Sequence, residues 1–464
     1  MTTSEMIASP QSNQVQQTLW LKNADAVFTG NHEDATNGIV VQGDKIVELV
    51  ASNNKPTVLI DQEIDLSGRV LIPGLINSHH HFYQTLTRCL PAALNKPLFP
   101  WLTSLYKVWQ NLTPEMIAIS SKLAALELML SGATTVSDHH YVFTPNISNA
   151  IDIQIEALKS LGCRMHLTRG SMSLGESQGG LPPDSVVENE DVILKESERL
   201  ITSYHERKDG AMIQLALAPC SPFSVSKNLM IESAQMAEQY DVLLHTHLAE
   251  TEDENDFCLE KYGVRPLDYL EQCGWLNSRT WLAHGIHFTD EEIKKLGNAK
   301  IGIAHCPTSN MLLASGMCKT LDLQQAGCRI GLAVDGSASN DCSNMITEVR
   351  QSLLQQRLVY GAEKITAETV LGFATSGNAS VFHRSDIGEL SVGKQADLAI
   401  FNLNELRFSG VGDPLAALVI CGGHRVEKLM VAGQWVINNF EHSAIDAEEL
   451  KSLHGQLAKQ LRNH

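Results

Sequence analysis

Three consecutive histidines, His79, His80 and His81, are the most chemically informative residues of the sequence. They follow an apolar run, VLIPGLINS, whose aliphatic and β-branched residues favour a β-strand. Because alternate residues of a strand point to the same side, His79 and His81 can bind one metal ion while His80 points away. We therefore predict that His79 and His81 are metal ligands and that His80 packs or hydrogen-bonds behind them.

A second polar cluster lies in the segment HTHLAE, which contains His245, His247 and Glu250. We prefer His247 as the third ligand because it is nearer the strand end and pairs naturally with Glu250; His245 remains the alternative. Asp335 ends another apolar run in AVDGS, where an isolated Asp-Gly pair would only indicate a turn. Three histidines and one carboxylate, with water completing the shell, are typical of a zinc site.

The number of metal ions is indicated by a different segment, the predicted fourth barrel strand. This segment, LALAPCSP, contains no Lys, Glu or His that could bridge a second metal ion. The sequence therefore predicts one Zn²⁺ per chain.

Eight short apolar runs in the middle of the chain position these residues, and each is followed by a longer helical pattern. They are VLIPGLINSHHH, GATTVSDHHY, RMHLTRGS, MIQLALAPCSP, VLLHTHLAE, TWLAHGIHF, KIGIAHCPTSN and RIGLAVDGSASN. Strands that alternate with helices favour a parallel sheet, and eight such units favour a closed (β/α)8 TIM-like barrel. All carboxyl ends of the strands then lie on one face, where an active site is expected. The polar residues at these ends are His79, His81, Asp138, His139, Arg169, His247, Glu250, His284, His305 and Asp335.

Both ends of the chain are rich in β-forming residues and turn signals. The N-terminal segments are LWLKNADAVFTG and GIVVQGDKIVELV, and the C-terminal ones are IGELSVGKQADLAIFNL and EKLMVAGQWVIN. We expect a small β-sandwich domain built from both termini, from residues 1–68 and 379–464, with a terminal helix in the second part. The barrel is expected at residues 69–378.

The composition excludes several classes of partner. A net charge of −18, with 53 acidic against 35 basic residues, disfavours binding to nucleic acid or an anionic membrane. No apolar stretch approaches the roughly 18 residues of a membrane span, and the polar start, MTTSEMIASPQSNQVQQT, lacks a signal-peptide pattern. The ten cysteines form no CxxC pair, as is typical of reduced thiols. We expect a cytoplasmic protein with a small-molecule partner, and homo-oligomerisation remains open.

Several segments resemble the signature segments of the amidohydrolase superfamily, specifically its mononuclear zinc deaminase branch. They are PGLINSHHHF, HTHLAE, LAHGIHF and AVDGSASND, and GELSVGKQADLAIFNL resembles the C-terminal β-domain of that branch. Within the branch, HHHFYQTLTR, ALNKPLFPWL, SDHHYVF and LTRGSMSLG are similar to the 8-oxoguanine deaminases. The resemblance implies hydrolytic deamination of a purine-like substrate, 8-oxoguanine, to uric acid and ammonia.

The resemblance also implies roles for individual residues. The metal ligands of the branch are matched by His79, His81, His247 and Asp335. Glu250 matches a proton-shuttling carboxylate and His284 matches the histidine that contacts the attacking water, which Asp335 also orients. Gln84 matches a glutamine that binds the purine in guanine deaminases, and Arg169 lies where such enzymes often place a substrate contact. No role is implied for His139, His140 or His305.

Two inserts are candidates for the wall of the pocket. Residues 82–109 contain aromatic side chains that either sandwich a flat heterocycle or, for most of them, pack under the barrel rim. They are Phe82, Tyr83, Phe99, Trp101, Tyr106 and Trp109. The Gly- and Pro-rich segment GESQGGLPPDS, residues 175–185, is a candidate lid.

Two other functions compete with this interpretation. A guanine or adenosine deaminase, or an s-triazine aminohydrolase of the same superfamily, would use the same metal residues and differ in the residues that bind the ring. A non-catalytic barrel scaffold is the alternative from another class. It is disfavoured because such proteins typically lose metal ligands, whereas this chain has the full set together with Glu250.

Overall fold

The computed structural model describes residues 17–463. The polar N-terminal segment, which is predicted not to be a signal peptide, lies almost entirely outside this range. Eight parallel strands, neighbouring in chain order, form the central barrel and confirm the predicted fold. With strands numbered in chain order, they are β7 (Leu75–Ile76), β8 (Ala133–His140), β9 (Arg164–Ser171), β10 (Ile213–Pro219), β11 (Leu244–Leu248), β12 (Thr280–His284), β13 (Gly302–His305) and β14 (Arg329–Leu332).

The first and last barrel strands meet at a seam, the contact between β7 and β14 and the residues that follow them. The described residues form no strand ladder there. The N–H of Asp335 donates to the carbonyl of His79 at 3.1 Å, and the N–H of Val334 donates to Asn77 Oδ1 at 3.0 Å. The side chain of Asn378 also hydrogen-bonds the backbone on both sides of the seam. The barrel is therefore nearly closed, largely through amide side chains.

The remaining strands form two sheets outside the barrel. One contains β1 (Thr18–Lys22), β3 (Ile39–Gln42), β4 (Lys45–Leu49) and β5 (Gln62–Asp65) in the order β4-β3-β1-β5. The other contains β2 (Ala26–Val27), β6 (Arg69–Pro73), β15 (Leu398–Asn402), β16 (Lys428–Val431), β17 (Gln434–Asn438) and β18 (Glu441–His442) in the order β18-β17-β16-β15-β6-β2. Because β6 pairs with β15, this sheet includes residues 69–73, which the sequence-based division assigns to the barrel.

Helices alternate with the barrel strands as expected. In chain order they are α1 (Leu98–Trp109), α2 (Pro114–Leu130), α3 (Ala150–Lys159), α4 (Glu190–Tyr204), α5 (Lys227–Tyr240), α6 (Glu252–Tyr262), α7 (Pro266–Gln272), α8 (Asp290–Asn298), α9 (Pro307–Leu312), α10 (Thr320–Ala326), α11 (Met345–Tyr360), α12 (Ala367–Gly372), α13 (Asn378–Val381), α14 (Pro414–Ile420) and α15 (Ala447–Arg462). Several of them begin after a side-chain cap, as where Thr113 accepts the N–H of Met116. Among residues 17–463, no helix has the length and apolar character that crossing a membrane requires.

A buried ion pair joins the barrel to the terminal sheets. Arg164 on β9 donates two hydrogen bonds to Asp397, at 2.7 and 2.9 Å, and both side chains are almost fully buried. Removing one partner of such a pair leaves an uncompensated buried charge, which typically costs about 3–5 kcal/mol. The sheets built from both termini are thus fixed to the strands that position the site.

Candidate metal centre and active-site cavity

Three histidines and one aspartate converge at the carboxyl ends of β7, β11 and β14. The Nε2 atoms of His81 and His247 lie 3.2 Å apart, and Asp335 Oδ1 lies 3.3 Å from Nε2 of both His79 and His81. Ligand atoms about 2.1 Å from a tetrahedral zinc ion are separated by about 3.4 Å. These three contacts among the four buried side chains therefore have the spacing found around one ion of this size. Ligand atoms of His79, His81 and His247 also lie within 4.8 Å of one another.

The hydrogen bonds of the three histidines fix which nitrogen is free for a metal. The Nδ1 atoms of His79, His81 and His247 contact, in this order, His245 Nε2 at 2.7 Å, the carbonyl of His139 at 2.8 Å and the carbonyl of Cys220 at 2.7 Å. Each Nδ1 therefore carries the proton, and each Nε2 presents its lone pair to the others. His79 Nε2 has no hydrogen bond to any residue of 17–463. Lone pairs that face each other at this distance repel unless a cation lies between them, so the residues present fit a metal ion.

The protonation states of these side chains also suit metal binding. Burial lowers the pKa of His247 to about 3 and holds that of His79 well below its usual value. Burial opposes the charge of Asp335, but its contacts with the imidazoles of His79 and His81 outweigh burial and hold the pKa of this carboxyl well below its usual value. Neutral imidazoles and an ionised carboxylate are the forms that bind a divalent cation.

Glu250 and His284 lie beside this cluster. His284 Nε2 is 3.4 Å from Glu250 Oε2 and 3.8 Å from Asp335 Oδ2, while its Nδ1 contacts Asn310 Oδ1 at 2.8 Å. Burial raises the pKa of Glu250. Burial opposes the charge of His284, but the carboxylates of Glu250 and Asp335 outweigh it and raise its pKa. The pair can therefore exchange a proton within the site.

Three strand-end residues adopt left-handed backbone conformations. Ala249, His284 and Asp335 have φ values of 55, 69 and 65°. Such conformations are unfavourable for residues other than glycine, cost about 1–3 kcal/mol each, and cluster at functional sites. They turn the chain sharply where Glu250, His284 and Asp335 enter the site.

Glu254 supports the site and was missed by sequence reasoning. It is fully buried in the first turn of α6, where its carboxylate accepts the N–H groups of Ala249 at 3.0 Å and Glu250 at 3.1 Å. Burial raises its pKa to about 7. The acidic run after HLAE was the available signal, since Asp and Glu often lie in the first turn of a helix. Sequence reasoning also missed two hydrogen bonds that hold Asp335. The hydroxyls of Ser309 and Ser339 donate to its Oδ2 at 2.6 and 3.2 Å.

A cavity opens onto this cluster. Its apolar and aromatic walls come mainly from α1 and from loops at the barrel mouth: Leu98, Trp101, Leu102, Tyr106, Tyr141, Phe223 and Leu313. Of the six aromatic residues predicted from the insert, Trp101 and Tyr106 line the cavity. The other four pack under the rim, as expected for most of them: Phe82, Tyr83, Phe99 and Trp109. Within the described chain, residues 175–185 do not line this cavity.

Gln84 lines the cavity from a short 3-10 helix, Phe82–Thr87. Its Oε1 accepts the N–H of Ala338 at 3.3 Å, and its Nε2 lies 3.5 Å from Tyr141 Oη. A Cβ atom at Gly336 would lie 2.0 Å from Gln84 Oε1, so only glycine lets the loop after β14 approach this amide closely. Gln84 is thus held at the cavity wall by the loop that carries Asp335.

Arg169 is placed elsewhere. Its Nη2 donates to both carboxylate oxygens of Glu188 at 3.0 Å, and its guanidinium stacks 3.8 Å from the ring centre of Phe143. Among the described residues it is absent from the cavity lining. Its predicted contact with substrate remains a prediction that this placement does not support, because the charge is already paired.

The other histidines near the site surround the ligands. His80 Nδ1 accepts the N–H of His81 at 2.7 Å, which agrees with its predicted position behind the ligands. His139 Nε2 contacts the carbonyl of Ala218 at 2.9 Å. Both ring nitrogens of His140 lack a hydrogen-bond partner within residues 17–463, and His305 contacts only the amide of Gln356 there, at 3.5 Å. His245, the alternative ligand, instead bridges His79 and the carbonyl of Trp281.

Comparisons with known proteins show the family to which the chain belongs. Residues 70–436 match the model of the amidohydrolase family. The chain is 55% identical to 8-oxoguanine deaminase of Pseudomonas aeruginosa, over 95% of this chain and 98% of the relative. It is 34% identical to hydroxydechloroatrazine ethylaminohydrolase of a Pseudomonas species, over 83% of this chain and 82% of the relative.

Among solved structures, atrazine chlorohydrolase of Arthrobacter aurescens complexed with zinc superposes with a TM-score of 0.87 at 32% identity. The match covers 95% of this chain and all of that one. A family match over most of the barrel, together with relatives of this identity and coverage, leaves no ambiguity about descent. The chain therefore belongs to the amidohydrolase family of hydrolases, as the sequence motifs predicted.

Proposed function

We propose that the protein is a zinc-dependent aminohydrolase that converts 8-oxoguanine and water to uric acid and ammonia. One zinc ion per chain would be held by His79, His81, His247 and Asp335. The observation that carries the proposal is the convergence of three Nε2 lone pairs and one carboxylate beside Glu250, in a cavity with apolar and aromatic walls. The choice of ring is supported by the 55% identity to 8-oxoguanine deaminase.

The chemistry divides between the metal and the chain. When bound, zinc supplies a Lewis acid that lowers the pKa of a water molecule from 15.7 to roughly 7. Asp335 and His284 orient the water toward the amino-bearing carbon of the ring. Glu250 accepts a proton from the water and delivers it to the adjacent ring nitrogen, which prevents charge from building up in the ring. The water oxygen bonds to this carbon, and Asp335 or Glu250 moves the second water proton to the amino group. The carbon–nitrogen bond then breaks and the amino group leaves as ammonia.

The surroundings of Glu250 suit this shuttle. Its buried carboxyl has a raised pKa, so that it can hold a proton between the two transfers. Its backbone N–H is bound by Glu254, and Ser315 Oγ lies 3.5 Å from its side chain. Gln84, fixed against the loop after β14, is the proposed purine-binding amide.

An s-triazine aminohydrolase is the second candidate. It is favoured by the relative that acts on hydroxydechloroatrazine and by the structural similarity to atrazine chlorohydrolase. Both functions require the same metal residues, so they differ only in how the cavity wall receives the ring. In either case we propose a small-molecule substrate and a cytoplasmic location, with no nucleic-acid or membrane partner.

The test is a substrate panel under one set of conditions. Ammonia release is measured for 8-oxoguanine, guanine, isocytosine, adenosine and a hydroxylated aminotriazine with the zinc-loaded protein. We expect the highest kcat/KM for 8-oxoguanine, with isocytosine slower. If the kcat/KM of guanine or of the triazine exceeds that of 8-oxoguanine by about tenfold or more, the proposed substrate is wrong.

A further inference from the structure

Tyr106 places a hydroxyl without a partner at the cavity wall. The residue lies on α1, is fully buried, and lines the cavity. Its Oη makes no hydrogen bond to any residue of 17–463. A buried polar group that is left unpaired costs free energy, so this hydroxyl is a candidate partner for a polar atom of a ligand in the cavity.

Other polar groups of the wall are already engaged by the protein. Trp101 Nε1 donates to the carbonyl of Ala338 at 3.1 Å, and Ser339 Oγ donates to Asp335 at 3.2 Å. Gln84 Oε1 accepts a backbone N–H. Tyr106 therefore differs from these neighbours in that its full hydrogen-bonding capacity remains available to a ligand.

The position of Tyr106 indicates which part of a ligand it meets. The ring of Tyr141 lies 5.0 Å from the ring of His81 and 6.3 Å from that of His247, next to the metal cluster. The ring of Tyr106 packs against Trp109 at 6.0 Å, in the layer formed by α1. A purine whose amino-bearing carbon lies beside the metal ligands therefore approaches Tyr106 with a part of its ring system that is farther from these ligands.

We propose that the Tyr106 hydroxyl donates a hydrogen bond to the oxygen on the five-membered ring of an 8-oxopurine and so determines specificity for it. This inference rests on the proposed function. Burial raises the pKa of Tyr106 well above its usual value, which keeps the phenol protonated and able to donate. Guanine carries a C–H at that ring position, so it would leave the hydroxyl unpaired.

The experiment compares Tyr106→Phe with Tyr83→Phe. Both substitutions remove only a hydroxyl that is buried and unpartnered within the described residues, but Tyr83 does not line the cavity. We measure kcat/KM for 8-oxoguanine and for isocytosine, which has the aminopyrimidinone half without the five-membered ring. The ratio of the two values should fall about tenfold in Tyr106→Phe, as expected when a buried acceptor loses its donor, and stay unchanged in Tyr83→Phe.

Either an unchanged ratio in Tyr106→Phe or an equal fall for both substrates overturns the inference. A second measurement needs no variant. Uric acid differs from xanthine by the oxygen at the same ring position and by one additional N–H on the five-membered ring. Uric acid should therefore inhibit the wild-type enzyme about tenfold more strongly, and equal inhibition also overturns the inference. If the wild-type protein releases no ammonia from 8-oxoguanine, the proposed function itself fails, which separates the two results.

Discussion

The two ends of the cavity are built differently. At the metal cluster, the side chains follow barrel strands, and every ligand histidine has its Nδ1 bound by another protein group. At the wall formed by α1, the surface is largely apolar, and the Tyr106 hydroxyl has no partner among the described residues. The strands thus fix the reacting groups in advance, whereas the insert after β7 leaves hydrogen-bonding capacity for the substrate. Substitutions at the first end should affect turnover, and substitutions at the second should affect the choice of substrate.

Removing the metal tests the first end most severely. Chelation should lower turnover by roughly 10³-fold or more, because the water then keeps its ordinary pKa, and added zinc should restore activity. Metal analysis of the purified protein should give about one equivalent per chain, the content of a mononuclear site. His79→Ala and His247→Ala should each lower it. Two equivalents, or unchanged content in both variants, would contradict the assignment.

Glu250→Gln should have the next largest effect. Gln has nearly the same volume and can still hydrogen-bond, but it cannot carry a proton. Turnover should therefore fall by about 10²–10⁴-fold while zinc content and fold are retained. Steady-state kinetics with metal analysis checks this. Near-normal turnover would show that Glu250 is not the proton shuttle and would make His284 the next candidate.

Glu254→Gln tests whether Glu254 positions Glu250 at the same end of the cavity, as distinct from the proton transfer that Glu250 itself performs. A glutamine oxygen can accept one of the N–H groups of Ala249 and Glu250, but its own N–H₂ group would face the other. We expect kcat to fall about tenfold through misplacement of Glu250, with unchanged zinc content. Glu260→Gln, an exposed position on the same helix, is the matched control. Equal kinetics in the two variants would show that Glu254 has no positioning role.

The smallest kinetic effect is expected at Arg169. Arg169→Met breaks the buried pair with Glu188 and should lower the free energy of unfolding by about 3 kcal/mol. Because Arg169 is paired outside the cavity, kcat/KM of the folded variant should stay within about threefold of the wild-type value. Loss of a polar contact with the substrate would lower kcat/KM by more than this. Thermal unfolding and kinetics measure the two effects. A tenfold loss of kcat/KM without loss of zinc would restore the sequence-based role of Arg169 as a substrate contact.

The same contrast explains how far the sequence could be interpreted. Metal-ligand candidates could be identified because strand periodicity places His79 and His81 on one side, and because apolar runs end at His247 and Asp335. The barrel followed from the count of strand–helix units. The prediction that the ligand candidates lie together needed no side-chain detail, since parallel strands in a barrel necessarily end on one face.

What the sequence could not provide depends on backbone conformation and long-range pairing. The left-handed turns at Ala249, His284 and Asp335 could not be identified from the sequence, because none of the three residues is glycine, the residue type that usually indicates such a turn. The pairing of Arg169 with Glu188 links a strand to a loop, and no spacing rule predicts it. The separation of Trp101 and Tyr106 from four other aromatic residues depends on how α1 packs across the barrel mouth.

The seam between β7 and β14 has a consequence for folding. Asn77 and Val334 are joined across 257 residues of chain, so the barrel can close only when its first and last strands have both formed. His79 and Asp335 lie on opposite sides of that seam. An ion held by both would act as a clasp: binding only the closed form, it would draw the equilibrium away from partly opened barrels by mass action. Slower hydrogen exchange of the amides of Val334 and Asp335 in the zinc-loaded protein would record that clasp directly.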